Sequence, residues 1–265
     1  MGLHSLFLSS QEYKRMSNKN QKVVLVTGGA RRIGASIAEY FHLNGYRVIV
    51  HYRHSKQDAE TLIKKLNERR DNFAAAISAD LDNFDAYEKL IFDANAIWHR
   101  LDVLINNAST FFPTPVGKTN EHDWNLLLNS NLKAPFFLSQ AAAPLLAKNN
   151  GNIINIVDTH ANKKPMKNYP LYSCAKAGLA MLTQSLALEL APQIRVNAVA
   201  PGHVIWPENK NAFSDAEKKA IEAAVLLQKE ISPMDIAQTA FFLAEQASIT
   251  GQMISVDAGM LLSYL

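Results

Sequence analysis

The sequence is poor in the features that define several large classes of protein. It contains one cysteine, Cys174, so no intrachain disulfide can form and a metal site built from several cysteines is excluded. No apolar run approaches the roughly 18 residues that a membrane-spanning helix needs. The chain has 27 Lys and Arg against 24 Asp and Glu, an excess too small to indicate binding to nucleic acid or to a membrane surface.

Targeting and metal-binding patterns are missing as well. The first ten residues lack the charged and apolar regions of a signal peptide, and Leu6 stands where N-myristoylation needs Ser or Thr. The eight histidines show none of the spacings typical of metal ligands, so we predict no metal. With 48% apolar residues the chain can bury a large core, and we expect a cytoplasmic globular protein.

Short apolar runs alternate with helical patterns along most of the chain. The runs interpreted as strands are 22–26, 47–51, 73–78, 102–106, 153–157, 195–199 and 253–256. They are continuously apolar, as expected for strands buried on both faces, and the alternation predicts right-handed crossovers. We predict an α/β fold: a polar tail over residues 1–20, then a single doubly wound Rossmann-type domain over residues 21–265. Its parallel sheet is expected to have about seven strands, with helices on both faces.

A glycine-rich turn, Thr27-Gly28-Gly29-Ala30-Arg31-Arg32-Ile33-Gly34, joins the first strand to the first helical pattern. Glycines there let the backbone approach a pyrophosphate, and the helix N-terminus supplies oriented amides. The alternative is a tight turn in an α/β protein that binds no nucleotide. The position between a strand and a helix favours a dinucleotide site built from Gly28, Arg31, Arg32, Ile33 and Gly34.

The end of the second strand indicates which dinucleotide is bound. NAD sites usually place Asp or Glu there to bind the adenosine ribose, whereas this chain has His51-Tyr52-Arg53-His54-Ser55. Arg53 and His54 can face a 2′-phosphate and Ser55 can donate to it, whereas a carboxylate would repel it. These residues predict NADPH as the cofactor, and a solvated basic loop is the alternative.

Tyr172 and Lys176 are the candidate catalytic pair. They lie one helical turn apart on the same face, and we expect the ammonium of Lys176 to lower the pKa of the Tyr172 phenol. The same spacing occurs at Tyr52 and Lys56, where the adenosine end of a dinucleotide is expected. Tyr172 follows a strand that ends near Asp158 and lies at the start of a long helical segment, and this context favours it over Tyr52.

From about residue 22 to its end, the chain resembles the short-chain dehydrogenase/reductase family. The motifs, in the family's order, are the glycine turn, Asp80, Asn106-Asn107-Ala108, Asn131, Tyr172 with Lys176, and Pro201-Gly202. The resemblance implies that Tyr172 is the acid, that Lys176 also holds the nicotinamide ribose, and that Asn131 holds a water near Lys176. It further implies that Asp80 and Leu81 border the adenine. The other implied cofactor contacts are Asn107, Ala108, Ser109, Pro201 and Gly202.

Three departures from the common family pattern are similar to the pteridine reductase branch. Arg32 stands in place of a glycine, Asp158 in place of the usual catalytic serine, and the segment 110–115 in place of a glycine after Ser109. A pterin is flat, so Phe111 can stack on it, while Asp158 accepts from its N–H donors and Arg32 donates to its edge. The predicted substrate site is therefore Arg32, Phe111, Asp158 and Tyr172.

Each of these residues also has an ordinary interpretation. Phe111 is then a core aromatic, Asp158 a turn or cap residue at the end of a strand, and Arg32 a surface residue of the first helical turn. If Asp158 is functional, we expect it also to relay a proton together with Tyr172. The predicted catalytic set is Asp158, Tyr172, Lys176 and Asn131.

The sequence therefore predicts an NADPH-dependent reductase of dihydropterins, with dihydrofolate as a further substrate. A 3-oxoacyl thioester reductase is the first alternative, although it would normally have serine at position 158 and needs no aromatic at 111. A non-catalytic NADP(H)-sensing regulator is the second, and the intact Asn131, Tyr172 and Lys176 count against it. The expected partner is a small pteridine, with neither nucleic acid nor membrane.

Two further expectations come from the resemblance alone. Residues 203–231 are expected to form a mobile flap over the substrate. The family is usually tetrameric through the helices that follow the fourth and fifth strands, so a homotetramer is expected, with 141–143 and 179–190 as candidate contact surfaces.

Overall fold

The computed structural model describes residues 21–161, 165–204, 214, 223 and 225–262. The predicted tail, residues 1–20, lies outside these ranges, as does most of the predicted flap, residues 203–231. Within the described ranges, no helix has the length and apolar character to cross a membrane.

Seven strands form the central sheet. Their bounds are β1 Val23–Val26, β2 Arg47–Tyr52, β3 Ala74–Ser78, β4 Val103–Asn106, β5 Asn152–Ile156, β6 Arg195–Pro201 and β7 Met253–Val256. They lie in the order β3-β2-β1-β4-β5-β6-β7, and all neighbouring pairs are parallel. The predicted fold class is confirmed.

Helices pack on both faces of this sheet. Their bounds are α1 Arg32–Leu43, α2 Lys56–Arg69, α3 Ala86–Trp98, α4 Glu121–Leu128, α5 Ala134–Ala147, α6 Pro170–Leu190 and α7 Pro233–Glu245. Apolar residues of α1, α2 and α7 form the core on one face of the sheet. Residues of α3, α5 and α6 form the core on the other face. The two cores make the domain doubly wound.

The burial expected for the strands holds in the centre of the sheet and is wrong at its edges. All residues of β1, β4 and β5 are buried. In β3 only Ala74 is buried, and the residues of β7 are half-buried or exposed. Among the described residues, each of these two strands has a neighbouring strand on one side only, so solvent reaches side chains that a central strand would bury.

Helix α1 follows directly from the apolar periodicity. Ile37, Ala38 and Phe41 are fully buried on its inner face. The ring of Phe41 packs edge-on against Tyr46 and Phe241, with centroid distances of 5.0 and 5.2 Å. This packing anchors α1 to α7 and therefore holds the glycine turn, which precedes α1, at a fixed place on the sheet.

The strand order creates a crevice beside β1. The chain builds outward from β1 through β2 and β3, then crosses back to β4 on the other side of β1 and continues to β7. Connections that leave in opposite directions open a crevice at the carboxyl ends of β1 and β4, where α/β sheets bind ligands. The segments after these strands meet there, because Nδ2 of Asn107 donates to the carbonyl of Thr27 at 2.9 Å.

Candidate active site

A cavity of about 930 Å³ opens at the carboxyl ends of the strands. Its wall contains most of the predicted site: Gly28, Arg31, Arg32, Ile33, Gly34, Arg53, Leu81, Asn107, Ala108, Ser109, Phe111, Asp158, Tyr172, Lys176, Pro201 and Gly202. Four other predicted residues are not among those that line it, namely His54, Ser55, Asp80 and Asn131. The fold thus brings together segments that are far apart in the sequence.

Close backbone packing shapes the glycine turn into a cradle. Gly28 has a φ of 59°, and a Cβ at this position would lie 3.0 Å from Cα of Ala108. A Cβ on Gly34 would clash with the carbonyl oxygen of Gly28 and lie 2.6 Å from Nδ2 of Asn107. Side chains at these two positions would push the segments apart, so the cradle requires glycine.

Arg32 keeps the backbone conformation that glycine adopts most easily. Its φ of 54° lies in the left-handed region, which costs a residue with a side chain on the order of 1 kcal/mol. The family pattern has glycine at this position, and the structure retains the turn that glycine permits. The guanidinium-bearing side chain is exposed and contributes to the cavity wall beside the cradle.

A buried histidine supports the cradle from β2. Nδ1 of His51 accepts a hydrogen bond from the Gly28 N–H at 3.1 Å, and Nε2 lies 3.1 Å from the carbonyl of Ala79. Since a carbonyl can only accept, Nε2 carries the proton and Nδ1 has a lone pair for Gly28. Burial lowers the pKa of His51 to about 4, so the ring is neutral at pH 7.

At the end of β2, the Arg53 side chain forms ion pairs with two carboxylates. Its guanidinium lies 2.6 Å from Asp82 and 3.5 Å from Asp80, which follow β3. The sequence analysis named Asp80 but not Asp82, and it did not place either acid beside Arg53, because both come from the neighbouring strand. Ser55 precedes α2 and, among the described residues, its side chain forms no cap hydrogen bond with that helix. His54 beside it is exposed.

Asp158 and Tyr172 are hydrogen-bonded to each other. They lie in the half of the cavity formed by the segment after β5 and the start of α6, which we call the catalytic half. The Tyr172 phenol, in the first turn of α6, donates to Oδ2 of Asp158 at 2.9 Å. One turn later Nζ of Lys176 donates to the carbonyl of Ile156 at 2.9 Å and lies 5.7 Å from the centre of the Tyr172 ring. Tyr172 and Lys176 are both buried. The predicted pairing of these side chains on one helix face agrees with this geometry.

The electrostatics of Tyr172 differ from the sequence expectation. Burial and the Asp158 carboxylate raise the pKa of Tyr172 well above its ordinary value of 10.0. Burial lowers the pKa of Lys176 to about 8. The expectation that Lys176 lowers the Tyr172 pKa is wrong for this arrangement, because the carboxylate contacts the phenol directly whereas the ammonium donates to a backbone carbonyl. Tyr172 therefore keeps its proton at neutral pH.

Asp158 is held as an anion although most of its side chain is buried, with a relative exposure of 20%. Burial by itself favours the neutral acid, but Oδ1 accepts from the ring and the backbone N–H of His160, at 2.9 and 2.8 Å. These bonds and the one from Tyr172 outweigh burial and lower the pKa of Asp158. Both carboxylate oxygens are thus satisfied, as a buried charge requires.

Asn131 positions the loop that follows β4. It is fully buried in a π-helical turn, Asn129–Lys133, between α4 and α5. Its Oδ1 accepts from Oγ of Ser109 at 2.7 Å, and its Nδ2 donates to the carbonyl of Thr110 at 2.9 Å. These contacts hold the backbone immediately before Phe111. The water that the family resemblance places between Asn131 and Lys176 stays a prediction.

Phe111 belongs to a cluster of three aromatic rings. It stacks on Tyr169 with a centroid distance of 4.6 Å and an interplanar angle of 5°, and it meets Tyr172 edge-on at 4.8 Å. Its relative exposure is 43%, so the interpretation of Phe111 as a core aromatic is wrong. The part of the ring that Tyr169 and Tyr172 leave uncovered faces the cavity, whose wall includes Phe111.

The wall also contains residues that sequence reasoning did not single out. His160 and Tyr169 were within reach of it, since one lies two residues after Asp158 and the other one helical turn before Tyr172. The other wall residues to which the sequence assigned no individual role are His51, Asp82, Thr110, Ser130, Ile156, Val157, Met166, His203 and Val204. Only the folded chain shows that these residues share one cavity.

A doubly wound sheet whose crevice joins a glycine cradle to a buried Tyr–Lys pair defines an oxidoreductase of the short-chain type. Residues 28–261 match the family model described as enoyl-(acyl carrier protein) reductase. This match covers most of the chain. The protein belongs to the short-chain dehydrogenase/reductase family.

Relatives with different substrates match the chain to a similar extent. Pteridine reductase 1 of Leishmania tarentolae is 36% identical, covering 89% of this chain and 95% of the relative. A 3-oxoacyl-(acyl-carrier-protein) reductase of Staphylococcus aureus is also 36% identical, covering 91% and 99%. 3beta-hydroxysteroid dehydrogenase 1 of Eggerthella lenta is 33% identical, covering 91% and 94%. Sequence identity therefore does not select one substrate, and the chemistry of the site has to decide between them.

Replacing His51 with Gln should make the free energy of unfolding fall less steeply as the pH is lowered. The folded-state pKa of about 4 lies below the ordinary 6.5, so the unfolded chain takes up this proton first as the pH falls. The neutral ring contributes stability that is present above pH 6.5 and is lost as the pH falls through 4, on the order of 3 kcal/mol in all.

Urea unfolding measured from about pH 7 to about pH 4 tests this prediction. The free energy of unfolding should fall less steeply for His51→Gln than for the unchanged protein. His122→Gln, exposed on α4, is the control and should follow the unchanged protein. Parallel curves for His51→Gln and the unchanged protein would contradict the assignment.

Proposed function

We propose that the protein is an NADPH-dependent pteridine reductase, which reduces a dihydropterin to the tetrahydropterin and also accepts dihydrofolate. The observation that carries this proposal is the Asp158 carboxylate. It accepts a hydrogen bond from Tyr172 at 2.9 Å and lies in the same cavity wall as Phe111. An ionised carboxylate only accepts hydrogen bonds, and a pterin presents amino and ring N–H donors. Serine, the common family residue here, matches those donors less well.

The cradle residues fit a dinucleotide. A Cβ on Gly28 or Gly34 would push apart the segments that form the cradle. Helix α1 begins beside the cradle, and the Arg32 side chain lies at the cavity wall. Helix amides and an arginine together suit a pyrophosphate. Bound there, reduced nicotinamide supplies the hydride. We assign the remaining contacts with the cofactor to Arg31, Ile33, Asp80, Leu81, Asn107, Ala108, Ser109, Tyr172, Lys176, Pro201 and Gly202.

The 2′-phosphate of NADPH is assigned to Arg53, His54 and Ser55. Ser55 stands at the N-terminus of the 14-residue helix α2, where the helix dipole favours an anion. Arg53 already holds Asp82 at 2.6 Å, so a phosphate must compete with that carboxylate. A phosphate carries more charge than a carboxylate and accepts a bidentate arginine contact, which favours the exchange.

A flat ring fits beside Phe111. Tyr169 stacks on this ring at 4.6 Å, and the uncovered part of Phe111 is available to a pterin. Asp158 can then accept from the N–H donors of the pterin, while Arg32 donates to its edge from the cradle side. These contacts together select a planar heterocycle that carries donors on one edge.

Tyr172 is assigned the role of proton donor. Reduction of a C=N bond adds hydride to the carbon and a proton to the nitrogen. The raised pKa of Tyr172 keeps the phenol protonated at neutral pH. The hydrogen bond to Asp158 holds the phenol oxygen in a fixed place. Lys176, held by the Ile156 carbonyl at 2.9 Å, is assigned to the nicotinamide ribose.

A 3-oxoacyl thioester reductase is the second candidate, favoured by the Staphylococcus aureus relative at 36% identity. Tyr172 and Lys176 would serve ketone reduction equally well. Asp158 would not, because its charge lies next to the oxygen that becomes an alkoxide and would raise the barrier. NADPH oxidation with dihydrobiopterin, dihydromonapterin, dihydrofolate and an acetoacetyl thioester separates the candidates. Turnover with the thioester alone overturns the pteridine proposal.

We also propose that the enzyme is a cytoplasmic homotetramer. Apolar side chains are exposed on the two helices expected to form subunit contacts: Phe136 on α5, and Met181 and Leu188 on α6. Leu188 has a relative exposure of 80%, and burying such a side chain between subunits is favourable by about 1.5–3 kcal/mol.

Arg53→Asp should reduce the preference for NADPH over NADH by about ten- to a hundredfold, because a charge-assisted contact with phosphate contributes about 1.5–3 kcal/mol. Asp82→Asn should increase the preference, since it releases Arg53 from its 2.6 Å ion pair. Steady-state kcat/KM with each cofactor is the measurement. Lys64→Asp, exposed on α2, is the matched charge control. Comparable kcat/KM for both cofactors in the unchanged protein would rule out this assignment.

Tyr172→Phe should lower turnover by at least about a hundredfold, because the general acid is lost while the ring remains. NADPH binding, followed by fluorescence, should be retained. Tyr52→Phe is the control, since Tyr52 and Lys56 have the same spacing outside the catalytic half of the cavity. Equal losses in the two variants would show that Tyr172 is not the acid.

Asp158→Ser should lower kcat/KM for dihydropterin by at least about tenfold, while the fold and NADPH binding survive. The substrate loses its charged acceptor, and a donor left unpaired in a closed site costs about 1–3 kcal/mol. Phe111→Ala should weaken pterin binding independently through lost stacking. Steady-state kinetics of both variants test this. If Asp158→Ser keeps the original dihydropterin kinetics, the thioester reductase becomes the better assignment.

A further inference from the structure

His160 extends the catalytic pair by one titratable group. It lies in the 3₁₀ turn Thr159–Ala161, directly after Asp158 and the end of β5. Its Nδ1 is 2.9 Å from Oδ1 of Asp158, whose Oδ2 accepts from Tyr172 at 2.9 Å. One carboxylate thus connects an imidazole to the phenol. Because an ionised carboxylate only accepts, Nδ1 of His160 must carry a proton.

This arrangement bears on an electrostatic difficulty in the reaction. When Tyr172 gives up its proton, the phenolate oxygen would stand 2.9 Å from an oxygen of the Asp158 anion. Two like charges so close in a buried site are strongly unfavourable, and burial together with the Asp158 carboxylate raises the pKa of Tyr172. Tyr172 is therefore a weak acid unless the charge on Asp158 is neutralised in the same step.

We propose that His160 supplies this neutralisation, as a residue that acts through Asp158 and not on the substrate itself. As the phenol passes its proton to the substrate nitrogen, the imidazolium proton moves from Nδ1 of His160 to Oδ1 of Asp158. The site then holds a phenolate, a neutral carboxylic acid and a neutral imidazole. One proton from water restores the starting state, so each turnover consumes one hydride and one proton.

The surroundings of His160 are compatible with a proton-carrying ring. In the described part of the chain, the titratable groups around it are Asp158, Tyr172, Lys176 and His203, and Asp257 accepts from the preceding Thr159 at 2.9 Å. The ring of His203 is 5.9 Å from that of His160. Burial and the charge of His160 lower the pKa of His203. Of these two rings, His160 is the one that contacts the Asp158 carboxylate.

His160→Asn is the test variant, because its amide can donate to Asp158 from nearly the same place as Nδ1 but cannot carry an exchangeable charge. The backbone N–H of residue 160 still donates to Asp158 in this variant. We expect kcat to fall at least about tenfold and the pH profile of kcat to lose the limb that declines with rising pH. Imidazole added to His160→Ala should restore part of the rate.

A purely structural role would give a different result. If His160 only orients Asp158, His160→Asn keeps both the rate and the pH profile of the unchanged enzyme, and the proposal is overturned. His122→Asn on α4 is the matched control and should change neither. Histidine NMR of the cofactor-free protein is the second measurement: Asp158→Asn should lower the His160 pKa by about one unit, and an unaltered pKa would also overturn the proposal.

This inference rests on the proposed function only for the identity of the nitrogen that receives the proton. The pH profiles are therefore measured with the acceptor that the unchanged enzyme reduces, dihydrobiopterin or the acetoacetyl thioester. Failure to reduce dihydrobiopterin overturns the pteridine assignment and leaves the test of His160 intact. Failure to reduce either acceptor overturns both.

Discussion

The active site depends on one largely buried carboxylate that must have a proton donor at each oxygen. Asp158 meets this requirement through Tyr172 on one side and His160 on the other. Removing either donor would leave part of a buried charge unsatisfied, which is costly in a low-dielectric site. The end of β5, the turn after it and the first turn of α6 are therefore held in one arrangement. That arrangement in turn determines where Lys176 and Tyr169 lie.

The cofactor half of the cavity depends on close backbone approach. Gly28 and Gly34 allow the turn after β1, the segment after β4 and the start of α1 to pack against one another. The neutral ring of His51 links this packing to β2 through the Gly28 N–H. Arg32 retains a left-handed backbone where a side chain is a cost, and surrounding contacts must offset it. In return, a guanidinium lines the cavity beside the glycine cradle.

The two halves of the cavity differ in the charged group that faces the ligand. Arg31, Arg32 and a helix N-terminus line the cradle, whereas Asp158 lies in the catalytic half. A pyrophosphate suits the first half, and a heterocycle with N–H donors suits the second. A keto thioester has no donors for Asp158, and its reduction would place two negative charges together. The proposed choice between the two candidate substrates therefore rests on the charge of Asp158, since overall identity to their reductases is equal.

The sequence by itself determined the fold class, the strand positions to within one or two residues, and most of the cavity wall. Apolar periodicity and glycine position depend on neighbours along the chain, so a linear reading captures them. The same holds for Tyr172 and Lys176, one turn apart on α6. The family order then added Asn107, Pro201 and Gly202, which no local pattern would have selected.

The tertiary structure alone decided which groups face one another. Arg53 meets Asp82 because β2 and β3 are adjacent, and Asn131 meets Ser109 because a π-helical turn packs under the loop after β4. The direction of the Tyr172 pKa shift also depended on the fold, since burial and the contact with the Asp158 carboxylate both raise it. Charge interactions fall off with distance in space and not along the chain, so only the packed structure could reveal them.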